Sequence, residues 1–254
     1  MRPRALDLLK NWCLAFFDPR RLASVFRLRR FLRNYYTFRK QAPAAALNFM
    51  DTYPCLNDGT AHTPFDPHYF FQGAWLARRI AASRPSSHVD VGSSVIMLSM
   101  LSAIVDTVFI DYRPLDVELQ GLTPIAGSVL DLPLETGSTA SLSCLHVIEH
   151  IGLGRYGDAI DAAGSIKAAL ELQRVLMPGG TLYLSAPVGR ERVCFNAHRV
   201  FAPTSVPAML PELELVEFCL VDDEGRFLEN KPLASAEKCE YGCGMYLFRK
   251  PGRP

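Results

Sequence analysis

Short apolar segments alternate with longer amphipathic ones from about residue 66 to the end of the chain. Apolar runs rich in Val, Ile, Leu and Phe, bounded by Gly, Pro, Ser or Asp, are typical of buried strands. Such runs lie at residues 87–92, 106–112, 124–129, 139–147, 181–188, 214–223 and 242–250. Helical spacing of apolar residues occurs at residues 70–83, 93–104 and 163–177. The alternation predicts an α/β domain with a mostly parallel sheet, helices on both faces and an antiparallel last strand.

The first 65 residues have a different pattern and are predicted to form a basic helical arm and a covering segment, separate from the domain at residues 66–254. Residues 20–40 place apolar side chains at helical spacing among arginines, which predicts a basic amphipathic helix. Residues 1–40 hold 11 Lys and Arg against two acids, although the whole chain has a net charge of only +1. The helix either packs with its arginines solvated, or it contacts an anionic membrane surface or an acidic substrate.

The cysteines and the hydropathy pattern favour a cytoplasmic protein. The seven cysteines are odd in number and lie mostly within apolar runs, which favours reduced thiols over a disulfide framework. Cys239 and Cys243 have CxxxC spacing without a second pair, so no metal site is predicted. The apolar segment at residues 12–17 is too short to span a membrane. Peripheral membrane contact through residues 20–40 is the alternative.

Polar and small residues follow three successive predicted strands at the points where the strands end. The candidate cofactor-binding residues there are Asp90, Gly92, Ser93 and Ser94 after the first strand, Asp111 and Tyr112 after the second, and Asp131 after the third. In an open parallel sheet, ligands bind just beyond the carboxyl ends of the strands. Asp111 lies about twenty residues after the first strand, where nucleotide sites place the acid that binds the ribose. The first loop has one glycine, whereas a dinucleotide fingerprint has G-x-G-x-x-G.

The segment from Cys144 to Arg199 carries the richest candidate chemistry. The fourth strand leads into EHIGLGRYGD, and the fifth is followed by NAHR. If both loops lie at the same edge of the sheet, five candidate catalytic residues converge there: His150, Arg155, Tyr156, His198 and Arg199. A histidine suits a general base, and arginines suit an anionic acceptor. The alternative is a structural network in which Arg155 pairs with Asp158 and His198 caps a loop.

The run HVIEH at residues 146–150 also matches H-x-x-E-H, the inverted zinc-protease motif. That motif needs a helix to bring both histidines onto one face. The residues before it predict a strand, and Gly152 and Gly154 interrupt any helix after it. The sequence therefore disfavours a zinc protease.

The order of these motifs resembles the class I S-adenosylmethionine (SAM) methyltransferase fold over residues 66–250. The resemblance rests on VDVGSS, FIDY, GSVLDLPLETGS, HVIEH and RVLMPGGTLYLSAPV. It implies a Rossmann-like, seven-stranded sheet and SAM as the cofactor. By this resemblance, Gly92 and Ser93 face the methionine part, Asp111 holds the ribose, Asp131 and Leu132 the adenine, and His146 lies near the sulfonium. The run EHIGLGRYGD with NAHR is similar to a domain-of-unknown-function family inside that superfamily.

The resemblance implies a SAM-dependent methyltransferase that acts on a small polar or anionic acceptor, such as a sugar or glycan precursor. The chain departs from the family in its first loop, where VGSSVIM replaces a loop with two or three glycines. The alternative is therefore an inactive methyltransferase-like scaffold that binds a partner or a membrane surface through residues 1–40. Nucleic-acid binding by the arm is disfavoured because the rest of the chain is acidic. The sequence does not define an oligomeric state.

Overall fold

The computed structural model describes residues 19–42 and 47–252, without the side chains of residues 19–23. The chain divides into two compact units, Met1–Pro64 and Phe65–Pro254. The apolar segment at residues 12–17 and Cys13 lie outside the described residues. Within the described part, no helix is both long enough and apolar enough to cross a membrane.

The first unit contains the predicted basic helix, which is confirmed as α1 (Pro19–Gln41), followed by a short 3-10 helix at Phe49–Asp51. Tyr35 is buried, and the ring centroids of Tyr36 and Phe49 both lie 5.5 Å from its own in edge-on contacts. Arg39 and Lys40 occupy the last turn of α1, where cations interact favourably with the helix dipole. Contact of this helix with a membrane or a substrate stays a prediction.

The second unit alternates strands and helices, as the hydrophobic pattern predicts. Its helices are α2 (Pro67–Ser83), α3 (Val95–Leu101), α4 (Gly164–Val175) and α5 (Ser205–Ala208), with a 3-10 helix at Leu233–Ala236. Its first five strands are β1 (His88–Val91), β2 (Thr107–Asp111), β3 (Leu122–Ala126), β4 (Thr139–Leu145) and β5 (Leu176–Val188). The later strands are β6 (Arg192–Cys194), β7 (His198–Val200), β8 (Glu214–Val221), β9 (Phe227–Leu228) and β10 (Gly242–Arg249).

The main sheet of the described chain has eight strands in the order β3-β2-β1-β4-β5-β10-β8-β9, so the prediction of seven was wrong by one. The first five strands pair in parallel, and β10 runs antiparallel between β5 and β8. The additional strand is β9, which pairs with β8 over two residues and is too short to show a hydrophobic period. Because β1 to β5 run in the same direction, the loops after them lie at one edge of the sheet.

Side chains on both faces of the sheet form the core. Along β5, Leu182 and Leu184 belong to the cluster that contains α4, whereas Tyr183 between them belongs to the cluster that contains α2 and α3. This alternation follows from the two-residue period of a strand. Trp75 of α2 is among the largest fully buried side chains, and burial of a large apolar side chain contributes roughly 1.5–3 kcal/mol. The two helical layers thus hold the strands whose ends carry the candidate site.

The start of α2 is fixed by an N-terminal cap. Asp66 Oδ1 accepts hydrogen bonds from the amides of His68 and Tyr69, at 2.9 and 3.3 Å. Pro67 occupies the first helical position, where its missing amide proton is no loss. Farther along, the Arg79 guanidinium forms a 2.7 Å salt bridge with Glu217 of β8. The helix is therefore held at its first turn by the Asp66 cap and near its end by the sheet.

A buried chain of hydrogen bonds joins β1 to β4. His88 Nδ1 and Nε2 each lie 2.8 Å from a serine hydroxyl, those of Ser141 and Ser143 respectively. Ser143 also donates a hydrogen bond to Asp90 Oδ2. Burial lowers the pKa of His88 to about 4 and raises the pKa of Asp90 to about 6. The network therefore favours a neutral imidazole between the two strands.

We expect His88 to make the stability of the domain depend on pH. The pKa of His88 is about 4 in the folded chain against 6.5 for a free side chain. Its contribution to stability is therefore fully present above pH 6.5 and is lost as the pH falls through about 4. Compared with His88→Gln, the wild type should lose roughly 3 kcal/mol of unfolding free energy across this range. Asp90, whose raised pKa acts in the opposite direction, is present in both proteins. Urea denaturation across the pH range checks this, and a difference that does not change with pH would contradict it.

Candidate active site

A cleft opens where β1, β2 and β4 end. Its walls are formed by the last residues of these strands and by the loops that follow β1 to β4. The lining residues are Val91, Gly92, Ile110, Asp111, Tyr112, Arg113, Gly127, Val129, His146, Val147, His150, Ile151 and Tyr156. The position beyond the carboxyl ends of parallel strands is where open α/β sheets bind their ligands.

Gly92 brings the backbone close to the cleft. Its φ is +70°, in the left-handed region, and a Cβ at this position would lie 3.2 Å from both methyl carbons of Val147. The same Cβ would lie 3.8 Å from Asp111 Oδ2. Glycine adopts this conformation readily and leaves that space empty. A ligand can therefore approach the backbone of β1 between Val147 and Asp111.

The two serines of the loop after β1, Ser93 and Ser94, do not line the cleft. Ser93 is buried, and its amide donates to Asp90 Oδ1 at 3.0 Å while its hydroxyl oxygen accepts from the Leu145 amide at 2.9 Å. Ser94 is the N-cap of α3 and lines a separate apolar groove formed by residues of α2 and α3. Asp90 is fully buried and holds the loop from within. The loss of the usual glycines thus places no side chain in the cleft.

Asp111 presents a carboxylate oxygen to the cleft. Its Oδ1 accepts a hydrogen bond from the Arg113 amide at 2.7 Å, and no donor from the described part of the chain reaches Oδ2. Tyr112 lines the same wall and is exposed. An unshared carboxylate oxygen opposite a glycine is suited to accept hydrogen bonds from ligand hydroxyls.

The predicted residues after β3 lie outside the cleft. Asp131 is exposed, and its amide donates to Ser128 O at 3.0 Å within a tight turn. Leu132 is buried in the core, and its amide donates to Glu171 Oε1 at 2.8 Å. Val129, two residues before Asp131, lines the cleft instead.

The loop after β4 is organised around Asp158. Its Oδ2 accepts hydrogen bonds from the amides of Gly152 and Gly154 at 2.8 and 3.3 Å, and its Oδ1 accepts one from Tyr156 at 3.2 Å. Burial acts to raise the pKa of Asp158, but these backbone hydrogen bonds outweigh it and lower the pKa. Arg155 does not pair with Asp158: its guanidinium donates to the carbonyl oxygen of Ala197 at 3.0 Å. The alternative of an Arg155–Asp158 pair was therefore wrong.

Tyr156 contacts two arginines at the cleft. The guanidinium carbon of Arg113 lies 4.5 Å from the centroid of the Tyr156 ring, and that of Arg155 lies 5.1 Å away. Such cation–π contacts are favourable and hold the planar groups together. Arg113 follows β2 and Tyr156 follows β4, so the contact joins two loops and brings positive charge to the cleft.

Two histidines with lowered pKa values lie at the same edge of the sheet. His150 Nδ1 lies 2.6 Å from Ala197 O and 3.2 Å from Arg155 Nη1. The shorter contact is with a carbonyl oxygen, which can only accept, so it assigns the proton to Nδ1 and leaves Nε2 as the acceptor. Burial is the main cause that lowers the pKa of both His150 and His198, so both are neutral near pH 7. His150 lines the cleft, whereas the ring of His198 packs 5.1 Å from that of Tyr241.

Arg199 is bonded to the main chain. Its Nη1 donates to Ile151 O at 2.7 Å, and its Nη2 donates to Asp161 O at 3.4 Å. Its amide donates to Glu149 O at 2.9 Å. These contacts hold the loop after β4 against β7, so Arg199 acts as a positioning residue.

His146 ends β4 in a left-handed conformation, with φ of +55°. Its Nδ1 lies 2.8 Å from Glu149 Oε1, and its Nε2 lies 3.3 Å from Cys243 Sγ. Burial acts to lower the pKa of His146, but Cys243 and the buried Glu149 carboxylate outweigh it and hold the pKa well above 6.5. The H-x-x-E-H residues lie in a turn, so His146 and His150 do not share a helical face.

Solved structures that resemble this fold include proteins described as methyltransferases. The N-methyltransferase NodS from Bradyrhizobium japonicum WM9, in complex with S-adenosyl-L-homocysteine, matches 86% of this chain and 99% of its own, with a TM-score of 0.50 and 16% identity. The YcgJ protein from Bacillus subtilis matches over 72% of this chain and 100% of its own, with a TM-score of 0.50 and 12% identity. The chain has a methyltransferase fold.

Sequence comparison gives a shorter match. Residues 137–243 match the model of a family described as "Caenorhabditis protein of unknown function, DUF268". No curated protein matches the chain. The match to the family includes the loops after β4 and β5, but it attaches no activity to them.

Within the methyltransferase fold, the structure brings about half of the predicted site residues together. The predicted residues that line the cleft are Gly92, Asp111, Tyr112, His146, His150 and Tyr156. The predicted residues outside the lining are Asp90, Ser93, Ser94, Asp131, Leu132, Arg155, His198 and Arg199. Sequence reasoning missed Arg113 and Val147, which directly follow predicted residues and could have been found by extending each strand end by one position.

Proposed function

We propose that this protein is a SAM-dependent methyltransferase that acts on a small polar or anionic acceptor. The observation that carries the proposal is the pairing of Gly92 with Asp111 across the cleft. A glycine in a left-handed conformation and an unshared carboxylate oxygen face the same space at the ends of β1 and β2. The similar structure of the N-methyltransferase NodS, which is in complex with S-adenosyl-L-homocysteine, supports SAM as the cofactor.

The residues of the cleft fit SAM at three points. The Gly92 backbone gives room for the methionine part, and Asp111 Oδ2 can accept hydrogen bonds from the ribose hydroxyls. Val91, Ile110 and Val129 supply apolar surface for the adenine ring. This assignment moves the adenine contact from Asp131 and Leu132, which lie outside the cleft.

The acceptor side carries positive charge and neutral imidazoles. Bound SAM supplies an electrophilic methyl group on a sulfonium. Arg113 and Arg155, both stacked on Tyr156, would hold an anionic group of the acceptor. His150, whose pKa is lowered by burial, would accept the proton that the acceptor oxygen or nitrogen loses when it is methylated. A phosphate or carboxylate on a sugar or glycan precursor has the chemistry that these groups recognise.

Binding of SAM and of its demethylated product S-adenosylhomocysteine tests the proposal. We expect isothermal titration calorimetry of the full chain to detect one site for each compound, with the two competing. Adenosine, which lacks the amino-acid part, should bind more weakly and serves as the control. If neither SAM nor S-adenosylhomocysteine binds, the methyltransferase proposal is refuted, and the inactive scaffold becomes the better account of the fold.

A further inference from the structure

Three side chains that commonly bind metals meet beside the cleft. His68 lies in the first turn of α2, His146 at the end of β4, and Cys243 on β10. One ligand atom from each lies within 4.8 Å of the other two. His146 and Cys243 are buried, and His68 is half-buried. A set of two imidazoles and one thiol is suited to a borderline-soft divalent ion.

The fold positions each of these side chains separately. The Asp66 cap fixes the turn that carries His68. The His146 amide donates to Ser185 O at 3.0 Å, which extends the pairing of β4 with β5 to this residue. Cys243 is held on both sides, opposite Pro187 of β5 and Val221 of β8. The convergence therefore comes from the sheet and the α2 cap, and not from one flexible loop.

Glu149 orients His146 toward the thiol. Glu149 Oε1 accepts a hydrogen bond from His146 Nδ1 at 2.8 Å, so Nε2, which lies 3.3 Å from Cys243 Sγ, is the nitrogen that a metal would bind. A carboxylate that accepts a hydrogen bond from the far nitrogen of a histidine is the usual outer partner of a metal-binding imidazole. The arrangement thus orients Nε2 toward the thiol, and the metal would take the place of the Nε2 proton.

The second oxygen of Glu149 is an independent sign of a missing positive partner. Glu149 is fully buried, and Oε2 has no hydrogen-bond partner in the described part of the chain. A buried carboxylate without compensation is costly. A divalent ion would balance one thiolate and one carboxylate, because its two positive charges equal their combined negative charge.

We propose that His68, His146 and Cys243 bind a Zn²⁺ ion. Zinc takes nitrogen ligands at about 2.0–2.1 Å and thiolate sulfur at about 2.3 Å, so the ligand atoms must close from within 4.8 Å to roughly 3.5 Å of one another. His68 can make this movement because its ring receives no hydrogen bond from the described residues. It only stacks on His146 and Tyr241, with ring centroids 5.6 and 5.2 Å away. On binding, the Cys243 thiol and His146 Nε2 each lose a proton to solvent, and the sulfur and the nitrogen bond to the metal.

Three protein ligands leave a fourth zinc position for water or another oxygen ligand. His146 lines the cleft, so the ion would lie beside the space assigned to the acceptor. The sequence predicted no metal here because the ligands are far apart in the chain, His146 and Cys243 by 97 residues. The proposal rests on these ligand positions and does not depend on methyltransferase activity.

Cobalt and zinc binding by the metal-free full chain tests the site. We expect one Co²⁺ to bind with the near-ultraviolet absorption of a thiolate–cobalt bond, and Zn²⁺ to displace it. Competition with a chromophoric chelator gives the affinity for Zn²⁺. Cys243→Ser should remove the thiolate band, and His68→Ala should weaken Zn²⁺ binding at least 10-fold. Glu149→Gln should weaken it about 10–100-fold, as loss of such outer partners does elsewhere.

Cys239→Ser is the matched control, because Cys239 is a buried thiol four positions earlier in the chain and is not among the three ligands. It should keep the thiolate band and the wild-type affinity. Circular dichroism shows which variants fold. If Cys243→Ser does not fold, the zinc affinity of His68→Ala, a substitution at a half-buried position, tests the site instead. The proposal is overturned if the wild type shows no thiolate band, if His68→Ala binds zinc as tightly as the wild type, or if Cys239→Ser loses the band as Cys243→Ser does. None of these measurements contains SAM, so the absence of a zinc site would not contradict the proposed methyltransferase function.

Discussion

Replacing Gly152 by alanine should lower the free energy of unfolding by about 4 kcal/mol, the largest stability loss that we expect from a single added methyl group. Gly152 has a φ of +81°, and a Cβ built there would lie 2.0 Å from the carbonyl oxygen of Asp161 and 2.9 Å from its carbonyl carbon. The clash is with backbone, which cannot rotate away as a flexible side chain can. The loop after β4 would have to separate from the segment that leads into α4.

Gly157, in the same loop, provides a matched control. Its φ is +85°, nearly that of Gly152, but no atom lies within 4 Å of a Cβ placed there. Gly157→Ala should therefore show only the conformational cost of a left-handed residue, about 1–2 kcal/mol. Urea denaturation of the three proteins measures both effects. Equal losses in the two variants would show that backbone conformation, and not the contact with Asp161, governs the loop.

The close approach of Gly152 to Asp161 matters for the candidate site because the loop after β4, which carries Tyr156, packs through it. The Gly152 amide donates to Asp158, and Asp158 in turn holds the amide of Tyr156. If the loop moves away from Asp161, the stack of Tyr156 on Arg113 is lost with it. The same variant should therefore weaken binding of an anionic acceptor more than it weakens binding of SAM.

The strands of the main sheet, with one exception, and the helices α2, α3 and α4 were predictable because each has a hydrophobic period long enough to read, whereas β6, β7 and α5 are too short to show one. β1, β2, β4 and β5 are buried runs bounded by polar or small residues, and α2 begins at a recognisable cap. The exception is β9, which has two residues and no period of its own. β9 forms because the edge of β8 has unpaired backbone groups with which it can hydrogen-bond. Those groups are available only once the sheet has assembled.

The site was predictable where a side chain ends or directly follows its strand, and where the polar loop after β4 brings His150 and Tyr156 to the cleft. Asp111 ends β2 and reaches the cleft, as its place at a strand end indicates. Asp131 lies five residues beyond the end of β3, in a turn closed by the bond of its amide to Ser128 O, and it is exposed to solvent. The loop after β1 has one glycine, which suggested that serine side chains crowd the ligand. Ser93 is instead buried and does not enter the cleft. Cys243 lay beyond prediction, since its approach to His146 depends on where β10 inserts in the sheet.

Asp111→Ala should reduce the affinity for SAM about 100-fold or more, the largest effect on ligand binding that we expect from one substitution. A carboxylate that accepts hydrogen bonds from two ribose hydroxyls contributes roughly 1.5–3 kcal/mol for each of them. Alanine removes both acceptors and leaves the apolar walls of the cleft in place. The Arg113 amide loses its bond to Oδ1 as well, so Asp111→Asn, which keeps an acceptor for that amide, separates the ligand effect from a change in the turn.

Asp131→Ala is the control, because it also removes one negative charge from a loop that follows a neighbouring strand. Asp131 follows β3 as Asp111 ends β2, yet it is exposed and does not line the cleft. We expect its substitution to leave the dissociation constant of SAM unchanged in calorimetry, whereas both Asp111 variants raise it. If Asp131→Ala weakens binding and Asp111→Ala does not, the ribose lies at the end of β3, and the pairing of Gly92 with Asp111 is not the cofactor site. Because the two acids lie at neighbouring strands of one sheet, the comparison decides between two positions of the same ligand without changing the fold.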